Sequence, residues 1–198
     1  MAQSGFVIKN KIDTEEALRA LYPGTRYLAV LEELDRSCIK FIEHSPFLVI
    51  GAYNPDIGIE VSPRGDEPGF VKVVDSHTIL IPDRAGNHRL DCMTGLLKHR
   101  EIGMFFLIPG LLESLRIKGE VTITDDPETL AMFTERNGKV PRTVMVVHVY
   151  EAFIHCGKAV NRSHLWDDSY TVSHERWRLI RGTLENSGET DLELDDAR

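Results

Sequence analysis

Residues 78–97 have the pattern of a strand, a tight turn and the start of a helix, and this succession limits the folds open to the chain. The run 78–81 is apolar and rich in β-branched residues, as expected of a buried strand. The next segment, 82–87, contains Pro, Asp, Gly and Asn, which favour a turn. Apolar residues then recur at helical spacing, at Leu90, Met93, Leu96 and Leu97. The chain therefore passes directly from a strand into a helix.

Two arginines, Arg84 and Arg89, lie at this junction. The first turn of a helix leaves backbone N–H groups unpaired, and these groups carry the positive end of the helix dipole. Guanidinium groups beside such a helix end form a place that suits a phosphate. The same residues also fit a plain surface turn, in which Arg84 pairs with Asp83 or Asp91.

Further short strands are predicted before and after this junction. Apolar or alternating runs mark them at 47–50, 59–61, 70–74, 102–108, 115–124 and 143–154. Helices are predicted from about 14 to 21, 31 to 44, 87 to 99, 126 to 137 and 173 to 180. Asp13 and Glu16 mark the first of these helices. Many short strands in succession favour a barrel, so we expect a mainly β fold with flanking helices.

Composition and charge separate the chain into a body and a tail. The 198 residues, 42% of them hydrophobic and 27% charged, fit one soluble globular domain, which we expect over 1–181. The segment 182–198 carries six acidic residues and one arginine, a composition typical of disorder. The tail accounts for much of the net charge of −8, and the nearly balanced body gives no reason to expect a nucleic-acid partner.

Other classes of protein lack their sequence signals here. No apolar run approaches the roughly 20 residues of a membrane helix, and 1–10 does not resemble a secretory signal, so a cytoplasmic protein is expected. Three cysteines without C-x-x-C spacing indicate neither a disulfide framework nor a metal site, and Cys38 and Cys92 are expected to be buried. Common hydrolase, metalloprotease and nucleotide motifs do not occur.

Six short segments resemble the pyridoxamine 5′-phosphate oxidase-related flavoproteins, in the order and at the spacing of that family. They are 62–66 (Ser-Pro-Arg-Gly-Asp), 68–71, 82–91, 106–110, 115–119 and 155–166. Each segment is short, but six in order over about a hundred residues form a specific signal. The resemblance implies a split β-barrel that binds FMN between the two protomers of a homodimer.

The resemblance also implies which residues contact the cofactor: Arg64, Asp83, Arg84, Asn87, Arg89, Ser114, Arg116, Lys158, Arg162, Ser163 and Trp166. Arg89 matches the phosphate-binding cation, and Arg64 would lie near the flavin ring. Plain alternatives stand beside these roles. Arg64 also fits a simple turn, Arg116 a solvent-facing strand position opposite Leu115 and Ile117, and Trp166 a packing anchor.

By resemblance, the expected function is that of an FMN-dependent oxidoreductase acting on an unidentified small substrate or reductant, with no nucleic acid or membrane as partner. A flavin carries such chemistry itself, so no general acid or base need appear in the sequence. A protein that carries or senses FMN without turnover is the alternative from another class. A barrel holding deazaflavin or haem is a third possibility. Oxidation of pyridoxamine 5′-phosphate is not expected, because the residues that hold that substrate have no match here.

Overall fold

The computed structural model describes residues 7–24, 30–84, 86 and 89–181, with side chains as far as Trp177. The predicted tail and the turn residues Ala85, Asn87 and His88 lie outside this description. By its internal contacts the chain divides into two compact units, 1–30 and 31–198. The single domain over 1–181 and the disordered tail stay predictions.

The first unit contains one short helix, α1 (Glu15–Ala20), none of whose residues is buried. Thr14 caps this helix, because its Oγ1 accepts a hydrogen bond of 3.2 Å from the backbone N–H of Ala17. The sequence pattern had indicated Asp13 as the cap, one residue earlier.

The described part of the second unit contains seven strands and five α-helices. The strands are β1 (Phe47–Asn54), β2 (Gly58–Gly65), β3 (Lys72–Asp75), β4 (Thr78–Pro82), β5 (Glu101–Leu107), β6 (Ser114–Thr124) and β7 (Val144–His155). The helices are α2 (Arg36–His44), α3 (Asp91–Lys98), α4 (Pro127–Ala131), α5 (Lys158–Arg162) and α6 (His174–Arg181). The strands form one antiparallel sheet in the order β2-β1-β5-β6-β7-β4-β3. This confirms the predicted mainly β fold with flanking helices.

Alternation along each strand gives the sheet one buried face and one outer face. On β1, Leu48 and Ile50 are fully buried, whereas Tyr53 on the other face is exposed. Helices α2 and α3 add Cys38, Ile42 and Leu96 to the same core as the inward side chains of the strands. The core therefore lies on the inner face, and outward side chains such as Tyr53, Ile59 and Val61 are exposed.

Two predicted helices are shorter than their sequence patterns. Helix α2 begins at Arg36 rather than near 31, because Leu31 instead forms a β-bridge with Ala152. The Asp35 carboxylate caps α2 at the Cys38 N–H, and this hydrogen bond lowers the pKa of Asp35. Helix α4 ends at Ala131 rather than near 137, where the chain turns inward so that Phe133 packs against Leu80 and Val144.

The pairing of β6 with β7 shifts register between Lys118 and Gly119. At Gly119 the backbone of β7 comes so close that a Cβ atom would lie 2.6 Å from the carbonyl oxygen of His148. Gly51, in the middle of β1, has no such restriction, since the nearest atom to a Cβ there would be the Gly103 carbonyl oxygen at 3.8 Å.

We therefore expect alanine to have opposite consequences at these two strand glycines. Gly119→Ala should lower the free energy of unfolding by about 1–3 kcal/mol, because the new methyl group has no room beside β7. Gly51→Ala should change it by less than about 1 kcal/mol. Urea denaturation of both variants measures the difference, and equal stabilities would show that β7 can move away from Gly119 at little cost.

Candidate functional site

Five charged side chains join the ends of two distant strands; we call them the ionic cluster. Arg64 at the end of β2 donates from Nη1 to Asp83 Oδ1 at 2.6 Å, just beyond β4. Arg84 donates from Nε to Asp66 Oδ2 at 2.6 Å, and its Nη1 lies 3.3 Å from Glu135 Oε1. The two pairs are thus crossed between the segments 62–66 and 82–91. The sequence predicted Asp83 or Asp91 as the partner of Arg84. Arg84 instead pairs with Asp66 and Glu135.

The ionic cluster contains more negative than positive charge. Two arginines face three carboxylates, and the Arg84 Nη1 also donates to the carbonyl oxygen of Phe133 at 3.0 Å. The Arg64 and Asp83 side chains are only 16% and 22% exposed. One donor in the ionic cluster is unpaired, since the Arg64 Nε is buried and has no hydrogen-bond partner.

Arg89 lies apart from the ionic cluster, immediately before α3. Its Nε and Nη2 both donate to Asp91 Oδ2, at 2.9 and 2.6 Å, and its side chain is 71% exposed. The helix that follows is held on the inner side of the sheet, where the Asn54 amide donates to the Asp91 carbonyl oxygen at 2.9 Å. No side chain caps this helix at Leu90. Asn87, the predicted neighbour of Arg89, lies outside the described residues.

A groove of about 680 Å³ runs along the outer face of the sheet. Its floor is flat between β1 and β5, because Gly51 and Gly103 lie opposite each other and neither carries a side chain. Val49, Phe105 and Phe153 form an apolar side of the groove, and Lys118 and Glu151, 2.8 Å apart, form a charged side.

One end of the groove holds two predicted site residues, Ser114 and Arg116. Ser114 is 2% exposed, whereas Arg116 points to the outer face and lies with its Cζ 5.2 Å from the centre of the Phe153 ring. His155, opposite Ser114 on β7, has a buried Nδ1 without a hydrogen-bond partner. The prediction that Arg116 points away from the buried Leu115 and Ile117 is confirmed.

The segment after β7 folds onto the turn between β5 and β6. The Trp166 indole donates from Nε1 to the Leu111 carbonyl oxygen at 2.7 Å, and Gly157 packs directly against Leu112. The Ser163 hydroxyl donates to the Val160 carbonyl oxygen at 3.0 Å within its own helix. The Trp166 indole is therefore bonded to the turn between β5 and β6 of its own chain.

Lys158 and Arg162 lie one turn apart on α5, and both are exposed. Neither forms an ion pair with a carboxylate of the described residues, and the same holds for Arg116. By contrast, Arg64, Arg84 and Arg89 each form an ion pair with an acidic side chain.

The predicted site residues thus fall into two groups. Val61 and Ile59 line the groove, and Arg64 is an odd number of positions from both, so it points to the other face of β2. No member of the ionic cluster lines the groove. Within one chain the Arg64 and Arg116 side chains therefore face opposite sides of the sheet.

Comparison with known proteins assigns the chain to a family. A family model described as pyridoxamine 5′-phosphate oxidase matches residues 34–156, well over half of the chain. The protein therefore belongs to the pyridoxamine 5′-phosphate oxidase family, and the predicted split-barrel fold is confirmed. The matched residues include both strands of the first hairpin, the ionic cluster and most of the groove. A search of the curated proteins finds no match.

Solved structures with a similar chain path share little sequence with this protein. HupZ of Group A Streptococcus is 13% identical, with a TM-score of 0.49 over 61% of this chain and 93% of its own. A Clostridium acetobutylicum protein related to general stress protein 26 is 11% identical, with a TM-score of 0.45 over 62% of this chain and 91% of its own. An F420 reductase is 13% identical, with a TM-score of 0.44 over 61% of this chain and 98% of its own.

The described residues lack two further features. They contain no helix long and apolar enough to cross a bilayer. They also contain no group of three or more side chains able to hold a metal ion.

Several residues of the ionic cluster and of the groove were not predicted from the sequence. Asp66 and Glu135 were not expected as partners of Arg84, because nothing local links segments so far apart in the chain. Gly51 and Gly103 did leave a signal, since a glycine within a strand often marks a close approach of another group.

The three cysteines have different environments. Cys38 and Cys92 are buried, as predicted, and Cys156 is exposed at the end of the groove. Burial, together with the nearby Asp35 carboxylate, raises the pKa of the Cys38 thiol to about 12. Burial also raises the pKa of Cys92, against the opposing effect of Arg64. Since the thiolate is the reactive form, neither buried cysteine should react readily.

We therefore expect Cys156 to react before the other two thiols. Titration of the native protein with a chromogenic disulfide reagent at pH 8 should show one fast thiol, and unfolding in guanidinium should release the other two. Cys156→Ser is the matched control, and should abolish the fast phase. A fast phase that persists in this variant would mean that the core opens around Cys38 or Cys92.

Proposed function

We propose that this protein is an FMN-dependent oxidoreductase that acts on a small molecule and binds FMN between the two protomers of a homodimer. Membership of the pyridoxamine 5′-phosphate oxidase family supports a flavin as the cofactor. The particular flavin, the dimer and the reaction are the proposal.

The observation that carries the proposal is the division of the predicted site residues between two faces of one sheet. Arg64 and the helix after Arg89 lie on the inner side of β2 and β1, and Ser114 and Arg116 lie in the groove on the outer side. A flavin could reach both groups only around the free edge of β2 or by lying between two copies of the chain. In a dimer, the inner group of one protomer and the groove of its partner complete one site.

The outer face itself favours a second copy as its cover. Ile59 and Val61 on the edge strand β2 are 79% and 66% exposed, and Tyr53 beside them is 47% exposed. Such a row of apolar side chains on an edge strand costs free energy in water. Association through this face would bury the row and would also narrow the groove into a closed slot.

The residues present fit the needs of FMN. The Arg64 Nε and the His155 Nδ1 are buried polar atoms without a partner, one in each group, and each can bond to a ligand. Arg89 is largely exposed and could exchange the Asp91 carboxylate for a phosphate beside an uncapped helix. Arg116 lies over Phe153 without a carboxylate partner among the described residues, and would bind a flavin placed in the groove.

The cofactor and the protein would have different roles in the reaction. A bound flavin accepts a hydride or electrons from one substrate and passes them to another. The chain itself would bind the phosphate through Arg89, orient the ring over the flat floor at Gly51 and Gly103, and exclude water through the apolar side at Phe105 and Phe153.

Purified protein should carry the yellow absorption of an oxidised flavin and should lose it on anaerobic mixing with NADH or NADPH. This result follows if the flavin turns over. Flavin that stays oxidised with both donors would indicate a carrier or sensor of FMN. A spectrum of deazaflavin or haem would replace FMN as the cofactor, and protein that takes up no FMN would contradict the proposal.

Arg89→Ala should weaken FMN binding by roughly 30- to several-thousand-fold, the cost of about 2–5 kcal/mol for removing one partner of a desolvated charge pair. Riboflavin, which lacks the phosphate, should bind almost as before. Arg116→Ala should weaken both flavins, because Arg116 lies beside the ring. Arg36→Ala, which removes an exposed charge on α2, is the matched control. An effect of less than about threefold at Arg89, in protein that remains folded, would remove it as the phosphate anchor.

The same two variants test whether the site is shared. In a heterodimer of Arg89→Ala and Arg116→Ala chains, isolated through two different tags, one site should contain both native arginines and the other neither. Such a dimer should bind one FMN with native affinity. Two weak sites would show that both arginines act within one protomer, and a monomer in sedimentation would exclude the dimer.

A further inference from the structure

Two buried donors without a partner lie on either side of Asp83. Arg64 donates from Nη1 to the Asp83 carboxylate at 2.6 Å, and its Nε remains buried and unpaired. On the other side, the Asp83 backbone N–H donates to the Thr143 carbonyl oxygen at 3.0 Å, and the Thr143 Oγ1 is also buried and unpaired. Neither the sequence motifs nor the family match singles out Thr143.

Unpaired buried donors are unfavourable, and a folded protein leaves few of them. A guanidinium Nε–H can only donate a hydrogen bond, and a threonine hydroxyl can donate one as well. Leaving such a group without an acceptor costs about 1–3 kcal/mol. The missing acceptor is therefore an oxygen that the described residues do not supply.

The charges nearby determine what kind of oxygen this is. The ionic cluster already combines two arginines with three carboxylates, so it carries one net negative charge. A phosphate dianion would be repelled here, whereas an uncharged oxygen would not. A carbonyl or hydroxyl oxygen satisfies both donors without adding charge.

We propose that Arg64 and Thr143 together bind an uncharged oxygen of the flavin, either a ring carbonyl or a hydroxyl of the ribityl chain. Thr143 is then a ligand-binding residue, and Asp83 positions Arg64 between them. This inference rests on the proposed function, because it takes a flavin as the ligand. It also separates two roles that the sequence left together: Arg89 recognises the phosphate, and Arg64 with Thr143 recognises the uncharged part.

The test uses variants that remove one donor and little else. Thr143→Val keeps the shape of the side chain without its hydroxyl, and Thr143→Ser, which keeps the hydroxyl, is the matched control. Arg64→Lys keeps a positive charge beside Asp83 but removes the Nε–H. Each full-length variant is titrated with FMN, riboflavin and lumiflavin, and a thermal melt confirms that it is folded.

Thr143→Val should weaken FMN and riboflavin equally, by about three- to tenfold, and Arg64→Lys should weaken both by roughly tenfold or more. Thr143→Ser should stay within about threefold of wild type. If lumiflavin, which lacks the ribityl chain, shows the same loss, the oxygen is a ring carbonyl; if it shows none, the oxygen is a ribityl hydroxyl. Both of these outcomes support the proposal.

Other results would overturn it. A loss for FMN alone would make this a phosphate contact, and unchanged affinity for every flavin would show that the two donors bind no ligand. If Arg64→Lys does not fold, Thr143→Val decides the question alone. Wild-type protein that binds no flavin would instead refute the proposed function and this inference with it, and that failure is seen in the wild-type titration before any variant is compared.

Discussion

The crossed ion pairs between Arg64 and Asp83 and between Arg84 and Asp66 are the interaction on which the shape of this sheet depends. β2 is one edge of the sheet, and β4 lies next to the other edge. Ion pairs of 2.6 Å between their ends require the sheet to curl until these strands meet. The curl gives a closed inner face for the core and an outer face that remains open. Because the Arg64 and Asp83 side chains are only partly exposed, removing either of them would leave the other charge without compensation in a poorly solvated place.

Much of this fold could be predicted from the sequence, because local rules apply to most of it. Alternation placed Arg116 outward and Leu115 and Ile117 inward, and burial of Cys38 and Cys92 followed from helical spacing. The errors occurred where a distant contact outweighed a local pattern. Leu31 continues the apolar pattern of α2 but pairs with Ala152 instead, and Phe133 is drawn out of a helical segment into a small core.

The candidate site was harder to predict, because its residues are defined by contacts across the sheet. Motifs pointed to Arg64, Arg84 and Arg89, but they did not predict which carboxylate pairs with which arginine. The sequence also could not tell that Arg64 and Arg116 lie on opposite faces, since this depends on the closure of the sheet as well as on strand parity. Thr143 has no motif at all, and only an unpaired buried hydroxyl distinguishes it.

The opposed glycines of β1 and β5 give the groove a property that core residues do not have. Their Cβ positions look onto open space, with the nearest atoms at 3.8 and 4.0 Å, both of them backbone oxygens of the facing strand. A larger side chain at either position would rise from the floor and make the groove shallower without disturbing the interior. The thickness of molecule that fits would therefore change by single substitutions on two strands. Substitutions at these two positions would then change the size of ligand that fits without changing the stability of the barrel.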